Sequence, residues 1–321
     1  MNWIKSIKKF GQSLKKYIKK RPGKQEQENA DWINCSSCKK LQYKNDIKNR
    51  FYICECGYHF DCPPKERFKN IFDNSTYEII EAPKYMNADP LDFKIDGVPY
   101  ISKREQYEKK TGQETALLIG QGKINDLSAI VVCSNFKFGG AAMTPKESEH
   151  LVTAAAKAIE QKVDIFVSIL QSGGMAVTTG VPGLTSGMVK TQIAFSEMKS
   201  AGILTIGIAG SKLTGGTYVL YFNHDVLGVE SVSCHDILFS GKRVTANLKT
   251  GQEIPEDFGK GSSLEALTDI VFNDRSEIKE GIAKIARVIL KKPKEEFKSD
   301  NPLQTTNESI EDPLSKTPKA V

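Results

Sequence analysis

Histidine and long hydrophobic runs are both scarce in this chain. Its 321 residues include four histidines, and no stretch approaches the ~20 apolar residues that cross a bilayer as a helix. The N-terminus has no continuous apolar core of the kind found in a secretory signal peptide. We therefore expect no transmembrane segment and a location in the cytoplasm or an equivalent reducing compartment.

The cysteine spacing of a secreted disulfide framework is also missing. Such a framework spreads its cysteines along the chain, whereas five of the seven cysteines here lie close together. The five are Cys35, Cys38, Cys54, Cys56 and Cys62. In a reducing compartment this clustering indicates metal binding. Cys133 and Cys234 stand alone in apolar surroundings, and we predict that both are buried.

The positive charge is concentrated at the N-terminus. Lysine and arginine outnumber aspartate and glutamate by six, but residues 1–24 alone carry eight lysines, one arginine and no acid. Trp3, Ile4, Ile7 and Phe10 recur there at helical spacing, which predicts a basic amphipathic helix. Four alternatives remain for this arm: it binds a nucleic acid, a partner protein or an anionic membrane, or it is exposed to solvent without a partner.

Composition divides the chain into four parts. A basic arm and linker, residues 1–31, precede a cysteine-rich module at 32–63. Alternating strand-like and helix-like sequence fills 64–293, and 294–321 is a polar tail rich in Pro, Ser, Thr and Asn. We expect this tail to be disordered because its composition cannot bury a core.

The cysteine-rich module predicts a zinc ribbon. Cys35 and Cys38 form a C-x-x-C pair, and Cys54 and Cys56 form a C-x-C pair fifteen residues later. Two such pairs place four thiolates around one Zn²⁺ at ~2.3 Å. The second pair is one residue shorter than usual, so His59 and Cys62 remain alternatives to Cys56 as the fourth ligand.

The longer segment predicts an α/β fold, because strand-like and helix-like runs alternate along it. Asn125-Asp126 separates two apolar runs and predicts a hairpin, and Thr144 with Pro145 marks a helix start. The predicted strands are 115–123, 128–136, 163–170, 203–208, 226–229 and 237–239, and the predicted helices are 145–161, 186–201, 215–222 and 274–290.

Two glycine doublets lie in matching settings. Gly173-Gly174 follows the apolar run 165–170, and Gly215-Gly216 follows the apolar run 203–208. Backbone amides at such turns are unhindered by a Cβ and can point at a substrate oxygen, as in an oxyanion hole. A single doublet commonly marks only a tight turn, but two in the same setting favour a functional site.

The motifs in their order resemble the β subunit of the acetyl-CoA carboxylase carboxyltransferase, bacterial and plastid type. The resemblance covers roughly residues 30–290 and depends on the ordered combination of motifs. They are Trp3, the four-cysteine ribbon, Phe138-Gly139-Gly140 with Met143, Ser172-Gly173-Gly174, Thr214-Gly215-Gly216 and Gly241-Lys242-Arg243-Val244.

The resemblance implies a crotonase-like (ClpP/crotonase) superhelix of β-β-α units behind an N-terminal zinc ribbon. It also implies a transferase that moves a carboxyl group from carboxybiotin to acetyl-CoA, giving malonyl-CoA for fatty acid biosynthesis. The biotin is supplied on a biotin carboxyl carrier protein and loaded by biotin carboxylase in an ATP-dependent holoenzyme. A carboxyltransferase α subunit completes an α2β2 assembly, in the cytoplasm or the plastid stroma.

The resemblance also assigns roles to individual residues. Gly173 and Gly174 would form the hole for the acyl thioester oxygen, and Gly215 and Gly216 would begin the helix across the pocket. The acyl-CoA would pass near Gly139, Gly140 and Met143. Arg243 would contact a phosphate or the partner subunit.

Two loops depart from the family pattern. Residues 175–179 read Met-Ala-Val-Thr-Thr where the family reads Ala-Arg-Met-Gln-Glu, and residues 144–148 read Thr-Pro-Lys-Glu-Ser where it reads Gly-Ser-Val-Val-Gly. The alternative hypothesis is therefore a non-catalytic relative that uses its ribbon and basic arm to bind nucleic acid or a partner protein. A hydratase or decarboxylase is disfavoured, because no carboxylate adjoins Gly173-Gly174.

Overall fold

The structure is a computed structural model, and it describes most of the chain between residues 31 and 292. The predicted basic arm, the polar tail and Arg243 all lie outside the described residues. Those described are 31–84, 86–241, 255 and 257–292.

Twelve strands and seven helices are labelled in chain order within the described residues. The strands are β1 Trp32–Asn34, β2 Leu41–Tyr43, β3 Tyr77–Ile79, β4 Lys94–Ile95, β5 Val98–Pro99, β6 Leu117–Ile124, β7 Leu127–Ser134, β8 Ile165–Ser172, β9 Leu204–Thr214, β10 Val226–Glu230, β11 Ile237–Leu238 and β12 Ile270–Phe272. The helices are α1 Lys44–Asn49, α2 Pro64–Ile71, α3 Tyr100–Thr111, α4 Pro145–Gln161, α5 Lys190–Ser200, α6 Gly216–Tyr221 and α7 Ile278–Leu290.

The central sheet is mixed, with the order β3-β6-β7-β8-β9-β10-β12, and β11 also pairs with β9. β6 is antiparallel to both of its neighbours, β3 and β7, whereas β7, β8, β9, β10 and β12 run parallel. The predicted hairpin is confirmed, since β6 and β7 meet at Asn125-Asp126, where both residues have positive φ. With α4, this hairpin forms a β-β-α unit.

Helices cover both faces of the sheet. Ile130 and Val132 of β7 point into a core with Leu151 of α4 and Phe195 of α5. Their neighbours Val131 and Cys133 point the other way, into a second core that α2 and α7 cover. Successive side chains of a strand face opposite sides, so the nearly continuous apolar runs of these strands are explained by burial on both faces.

Helix α4 has the bounds that the sequence predicts, Pro145–Gln161. The Thr144 hydroxyl accepts a hydrogen bond from the Lys146 amide, and the Glu147 side chain accepts one from the Thr144 amide. This capping box satisfies amides that have no acceptor within the helix. The helix start is therefore held in place directly after the loop that carries Gly139 and Gly140.

Two segments differ from their predicted form. Strand β9 extends past Ile208 to Thr214, because its final residues pair with β11. The predicted helix 186–201 begins as a π-helix, Gly183–Val189, and becomes α-helical only at Lys190. Gly187 allows this turn to pack directly against the Met175 side chain. Among the described residues, no helix combines the length and apolar content that a bilayer crossing requires.

Candidate active site and metal centre

Three glycine turns meet at the carboxyl ends of β8 and β9. The Gly173 amide donates to the Gly140 carbonyl at 2.9 Å, which joins the first two turns. A Cβ placed on Gly174 would lie 3.0 Å from the Thr214 carbonyl oxygen, and one on Gly215 would lie 3.4 Å from the Gly174 Cα. The glycines that the sequence singles out therefore lie against one another, although they come from segments far apart in the chain.

Glycine is required at the centre of this cluster for two reasons. Gly174 has φ +106° and Gly215 has φ +62°, a region that other residues rarely adopt. The backbones of the two turns also approach too closely for a side chain at Gly174. The second turn then leads directly into α6, which starts at Gly216.

The amides of the cluster already have acceptors, which differs from the expectation that they stand free. The Gly174 amide donates to Ser172 Oγ at 3.0 Å, and the Gly215 amide donates to the Phe239 carbonyl at 3.0 Å. The Gly173 amide donates to the Gly140 carbonyl, because the loop 139–141 packs against the Gly173-Gly174 turn. Gly216 differs from these three, since the first amide of a helix has no intrahelical acceptor.

Met143 contributes its backbone to the cluster, while its side chain does not face it. Its amide donates to the Gly174 carbonyl at 3.0 Å, and its carbonyl accepts from the Ala176 amide at 2.8 Å. The side chain is buried in the core beside α4. Met143 thus holds the Gly173-Gly174 turn in place, as a short parallel bridge to Met175.

The sequence did not predict a buried ion pair between Arg104 of α3 and Glu147 in the first turn of α4. Arg104 Nη2 lies 2.6 Å from Glu147 Oε1, and the same oxygen accepts from the Ala116 amide at 3.1 Å. Burial alone would raise the pKa of Glu147, but the Arg104 guanidinium outweighs it and holds that pKa below its ordinary value. The capping-box spacing of Thr144 and Glu147 was the available signal, but the partner Arg104 lies 43 residues away.

Two of the three buried histidines, His150 and His224, are engaged away from the glycine turns. His150 contacts the Ile80 carbonyl at 2.7 Å and the Thr115 hydroxyl at 3.0 Å. His224 contacts the Tyr221 carbonyl at 2.9 Å. Burial lowers the pKa of both imidazoles, to about 4 for His224. Neither ring hydrogen-bonds a residue of the glycine turns.

The four predicted metal ligands do come together. The ligand atoms of Cys35, Cys38, Cys54 and Cys56 all lie within 4.8 Å of one another. The Sγ atoms of Cys35 and Cys56 are 3.7 Å apart, as are those of Cys38 and Cys54. Four sulfurs at ~2.3 Å from one ion at tetrahedral angles are about 3.8 Å apart, so the arrangement fits a metal ion.

Neighbouring residues support this cluster, and the two alternative ligands have other neighbours. Gln42 Nε2 donates to Cys54 Sγ at 2.6 Å, and Arg50 Nη2 donates to Gln42 Oε1 at 2.8 Å, which orients the donor. His59 Nδ1 instead lies 3.8 Å from Glu230 Oε2. Cys62 is buried outside the cluster, with its Sγ against the Pro63 carbonyl. The structure thus brings Cys56 into the cluster and leaves His59 and Cys62 out of it.

A buried carboxylate connects the ribbon to the sheet. Glu230 ends β10 and receives Arg67 on one oxygen and Arg275 Nε, at 3.0 Å, on the other. Burial would raise the pKa of Glu230, but the two guanidinium groups hold it well below its ordinary value. Arg275 Nη1 also donates to the carbonyls of Phe51 and Phe60, at 2.9 and 3.1 Å. No sequence pattern predicts this connection.

A cavity of about 630 Å³ lies between the ribbon and the ends of β8 and β9. Its wall includes Gln171, which directly precedes Ser172-Gly173-Gly174, and Lys212 of β9. The ribbon contributes Tyr58 and Asp61. Its volume falls in the range of pockets that bind small molecules and cofactors.

Comparisons with known proteins agree on one family. The family described as the carboxyl transferase domain matches residues 98–318. A relative from Pelagibacter ubique, named acetyl-coenzyme A carboxylase carboxyl transferase subunit beta, is 29% identical over 295 residues, covering 91% of this chain and 93% of the relative. A relative of the same name from Brucella ovis is 29% identical over 298 residues, covering 91% and 96%.

Solved structures share the fold. The transcarboxylase 12S structure superposes with a TM-score of 0.56 at 17% identity, covering 76% of this chain and 43% of that chain. The Pseudomonas malonate decarboxylase hetero-dimer gives a TM-score of 0.54 at 13% identity, covering 75% and 90%. The predicted crotonase-like α/β fold is confirmed. Since the family match covers more than half of this chain, the chain belongs to the carboxyl transferase domain family.

Proposed function

We propose that this protein is the carboxyltransferase β subunit of an acetyl-CoA carboxylase, which converts acetyl-CoA to malonyl-CoA. The observation that carries the proposal is the convergence of the three glycine turns at one end of a carboxyl transferase domain. The shared name of relatives that match over nine-tenths of this chain supports the same reaction. The carboxyl donor in this proposal is carboxybiotin, delivered on a biotin carboxyl carrier protein.

The glycine turns would stabilise the enolate of acetyl-CoA. Loss of a methyl proton places negative charge on the thioester oxygen, and a preorganised amide donor there is worth ~10²–10³ in rate. The acyl oxygen would take the place of the Gly140 carbonyl at the Gly173 amide. Ala141 has positive φ, which is unfavourable for a residue with a side chain, and a shift of this loop would free the Gly173 amide. Gly216 would add its amide to the hole, while Gly174 and Gly215, whose amides bond Ser172 Oγ and the Phe239 carbonyl, would set the shape of the two turns.

The proton would go to the biotin anion that remains after carboxybiotin releases CO₂. Among the described residues, no histidine or carboxylate side chain hydrogen-bonds to Gly173, Gly174, Gly215 or Gly216. Burial depresses the pKa values of His150 and His224, and both rings are held by other partners. In this proposal the described residues supply binding, orientation and oxyanion stabilisation, and the biotin anion is the proton acceptor.

The metal of the ribbon would be a single structural Zn²⁺ held by Cys35, Cys38, Cys54 and Cys56. Four thiolates suit zinc and leave no open position for a substrate, so the ion would stabilise the fold without entering the reaction. In this proposal the ribbon spans residues 32–63 and the catalytic domain spans residues 64–293. The protein would be located in the cytoplasm or in the plastid.

A carboxyltransferase α subunit would cover an apolar surface beside the glycine turns. Val177 is 90% exposed and Val181 is 70% exposed, in the segment that follows Gly173-Gly174. Exposed apolar side chains continue along the π-helix and α5, at Leu184, Val189 and Ile193. A concentration of exposed apolar side chains in one segment of the chain favours a protein interface there. We expect biotin carboxylase and its carrier protein to join the assembly, with an α2β2 core.

Co-expression with the α-like subunit of the same organism tests the proposal. The purified complex should carboxylate acetyl-CoA in a biotin-dependent assay, and Gly174→Ala should lower kcat at least 100-fold, because its Cβ would strike the Thr214 carbonyl. Gly202→Ala is the matched control: it also has positive φ, but nothing lies within 4 Å of its Cβ position. A complex that binds acetyl-CoA but forms no malonyl-CoA would favour the non-catalytic alternative.

A further inference from the structure

Met175 occupies the space beside the second glycine turn. It directly follows Gly174, and its half-buried side chain packs between Gly216 and Gly187. The point where a Gly216 Cβ would stand lies 2.6 Å from Met175 Cγ and 3.1 Å from Met175 Sδ. The methyl end of the side chain continues as far as Gly187 in the π-helix. Two glycines thus make room for one thioether.

A second thioether supports the first. Met188 Sδ lies 2.9 Å from the same Gly216 Cβ position, so both sulfurs cover the start of α6. Met188 is also half-buried. Methionine side chains are unbranched and adaptable, and they fill irregular space without fixing one shape. The amide end of α6 is therefore bounded by two soft apolar groups.

We propose that Met175, supported by Met188, sets the size limit of the acyl group that the site accepts. This inference rests on the proposed carboxyltransferase function. An acyl oxygen bound between the Gly173 and Gly216 amides would bring the adjacent alkyl carbon against the Met175 thioether. The methyl of an acetyl group fits there, whereas the extra methylene of a propionyl group meets the side chain.

The expected size of this effect follows from known pocket selectivity. One methylene in an apolar pocket discriminates between substrates by roughly 10–200-fold. Shortening Met175 to alanine opens space next to the reacting carbon without touching the backbone donors. Packing alone would change stability, whereas a size limit changes the ratio of two substrates measured on the same enzyme.

The test measures kcat/KM for acetyl-CoA, propionyl-CoA and butyryl-CoA with the complete complex. Met175→Ala should raise the propionyl-to-acetyl ratio at least 10-fold, and Met175→Leu, which conserves volume, should keep the ratio within about threefold of the wild type. Met198→Ala is the matched control, because Met198 is a fully buried methionine of α5 that does not contact the Gly216 or Gly187 positions; it should lower Tm without changing the ratio.

The outcomes separate this inference from the proposed function. An unchanged ratio in Met175→Ala, in a complex that still carboxylates acetyl-CoA, would overturn the inference alone. A wild-type complex that carboxylates no acyl-CoA would overturn both. If Met175→Ala does not fold, Met188→Ala decides: a ratio raised at least threefold supports the size limit, and an unchanged ratio refutes it.

Discussion

At the scale of single residues, His224 shows how burial is converted into a dependence on pH. Its ring packs edge-to-face on Phe195, with 4.7 Å between ring centroids, and its Nε2 has no hydrogen-bond partner. Burial lowers the pKa of His224 from 6.5 to about 4. Between these values the unfolded chain binds a proton that the folded protein does not. The contribution of His224 to the free energy of unfolding is therefore fully present above pH 6.5 and is lost as the pH falls toward 4.

We expect His224→Gln to flatten this acid dependence. The loss in the wild type between pH 6.5 and 4 is on the order of 3 kcal/mol from this group. The variant should have a lower Tm at pH 7, because the aromatic packing is lost, but a smaller fall of Tm toward pH 4.5. Thermal unfolding at several pH values measures both effects. Parallel curves for the two proteins would contradict the assigned pKa, and His150 should leave a residual slope in the variant.

At the scale of elements, the ribbon is too small to order itself. Its core contains four buried residues, two of which are proposed metal ligands: Cys35, Ile47, Cys54 and Phe60. Strands β1 and β2 have three residues each. With so little apolar surface, most of the folding free energy of this module must come from metal binding.

We expect Cys56→Ser to reduce bound zinc from one equivalent to less than half. Amide hydrogen exchange in peptides from residues 32–62 should then accelerate at least 10-fold, while peptides from β7 and β8 stay protected. Cys62→Ser is the control, because Cys62 lies nearby but outside the cluster; it should keep both metal and protection. Equal zinc content in the two variants would contradict the proposed ligand set.

At the scale of the whole molecule, Glu230 and Arg275 connect the ribbon to the central sheet. Arg275 donates to Glu230 at the end of β10 and to the carbonyls of Phe51 and Phe60 in the ribbon. Loss of Arg275 would leave one Glu230 oxygen and the carbonyls of Phe51 and Phe60 without their donor, and a buried acceptor without a partner destabilises the fold. The ribbon and sheet should therefore unfold together.

We expect Arg275→Ala to lower the free energy of unfolding by about 3–5 kcal/mol. Its urea transition should also separate into two steps, because the ribbon loses its anchor. Arg287→Ala is a matched control from the same region of the chain: Arg287 is only half-buried and donates to the Asn125 carbonyl. That variant should lose less than about 1.5 kcal/mol. Similar losses in both would contradict the anchor role.

Local signals predicted the parts of the fold that depend on neighbouring residues. Asn125-Asp126 predicted the β6–β7 hairpin, and Thr144 with Pro145 predicted the start of α4. The ion pairs were not predictable in this way, because their partners are remote. Arg67 lies 163 residues from Glu230, and Arg104 lies 43 residues from Glu147. No periodicity or spacing rule connects positions at such distances.

The amino-acid sequence by itself determined the α/β alternation, the four-cysteine module and the glycine turns, because helix starts, knuckles and positive-φ turns are set by adjacent residues. Only the tertiary structure decided that Cys56 joins the cluster in preference to His59. It also decided that the Gly140 carbonyl accepts a hydrogen bond from the Gly173 amide, and that the Met175 side chain packs against Gly216. These arrangements depend on which surfaces pack together when distant strands pair, and burial in that packing selects the partners.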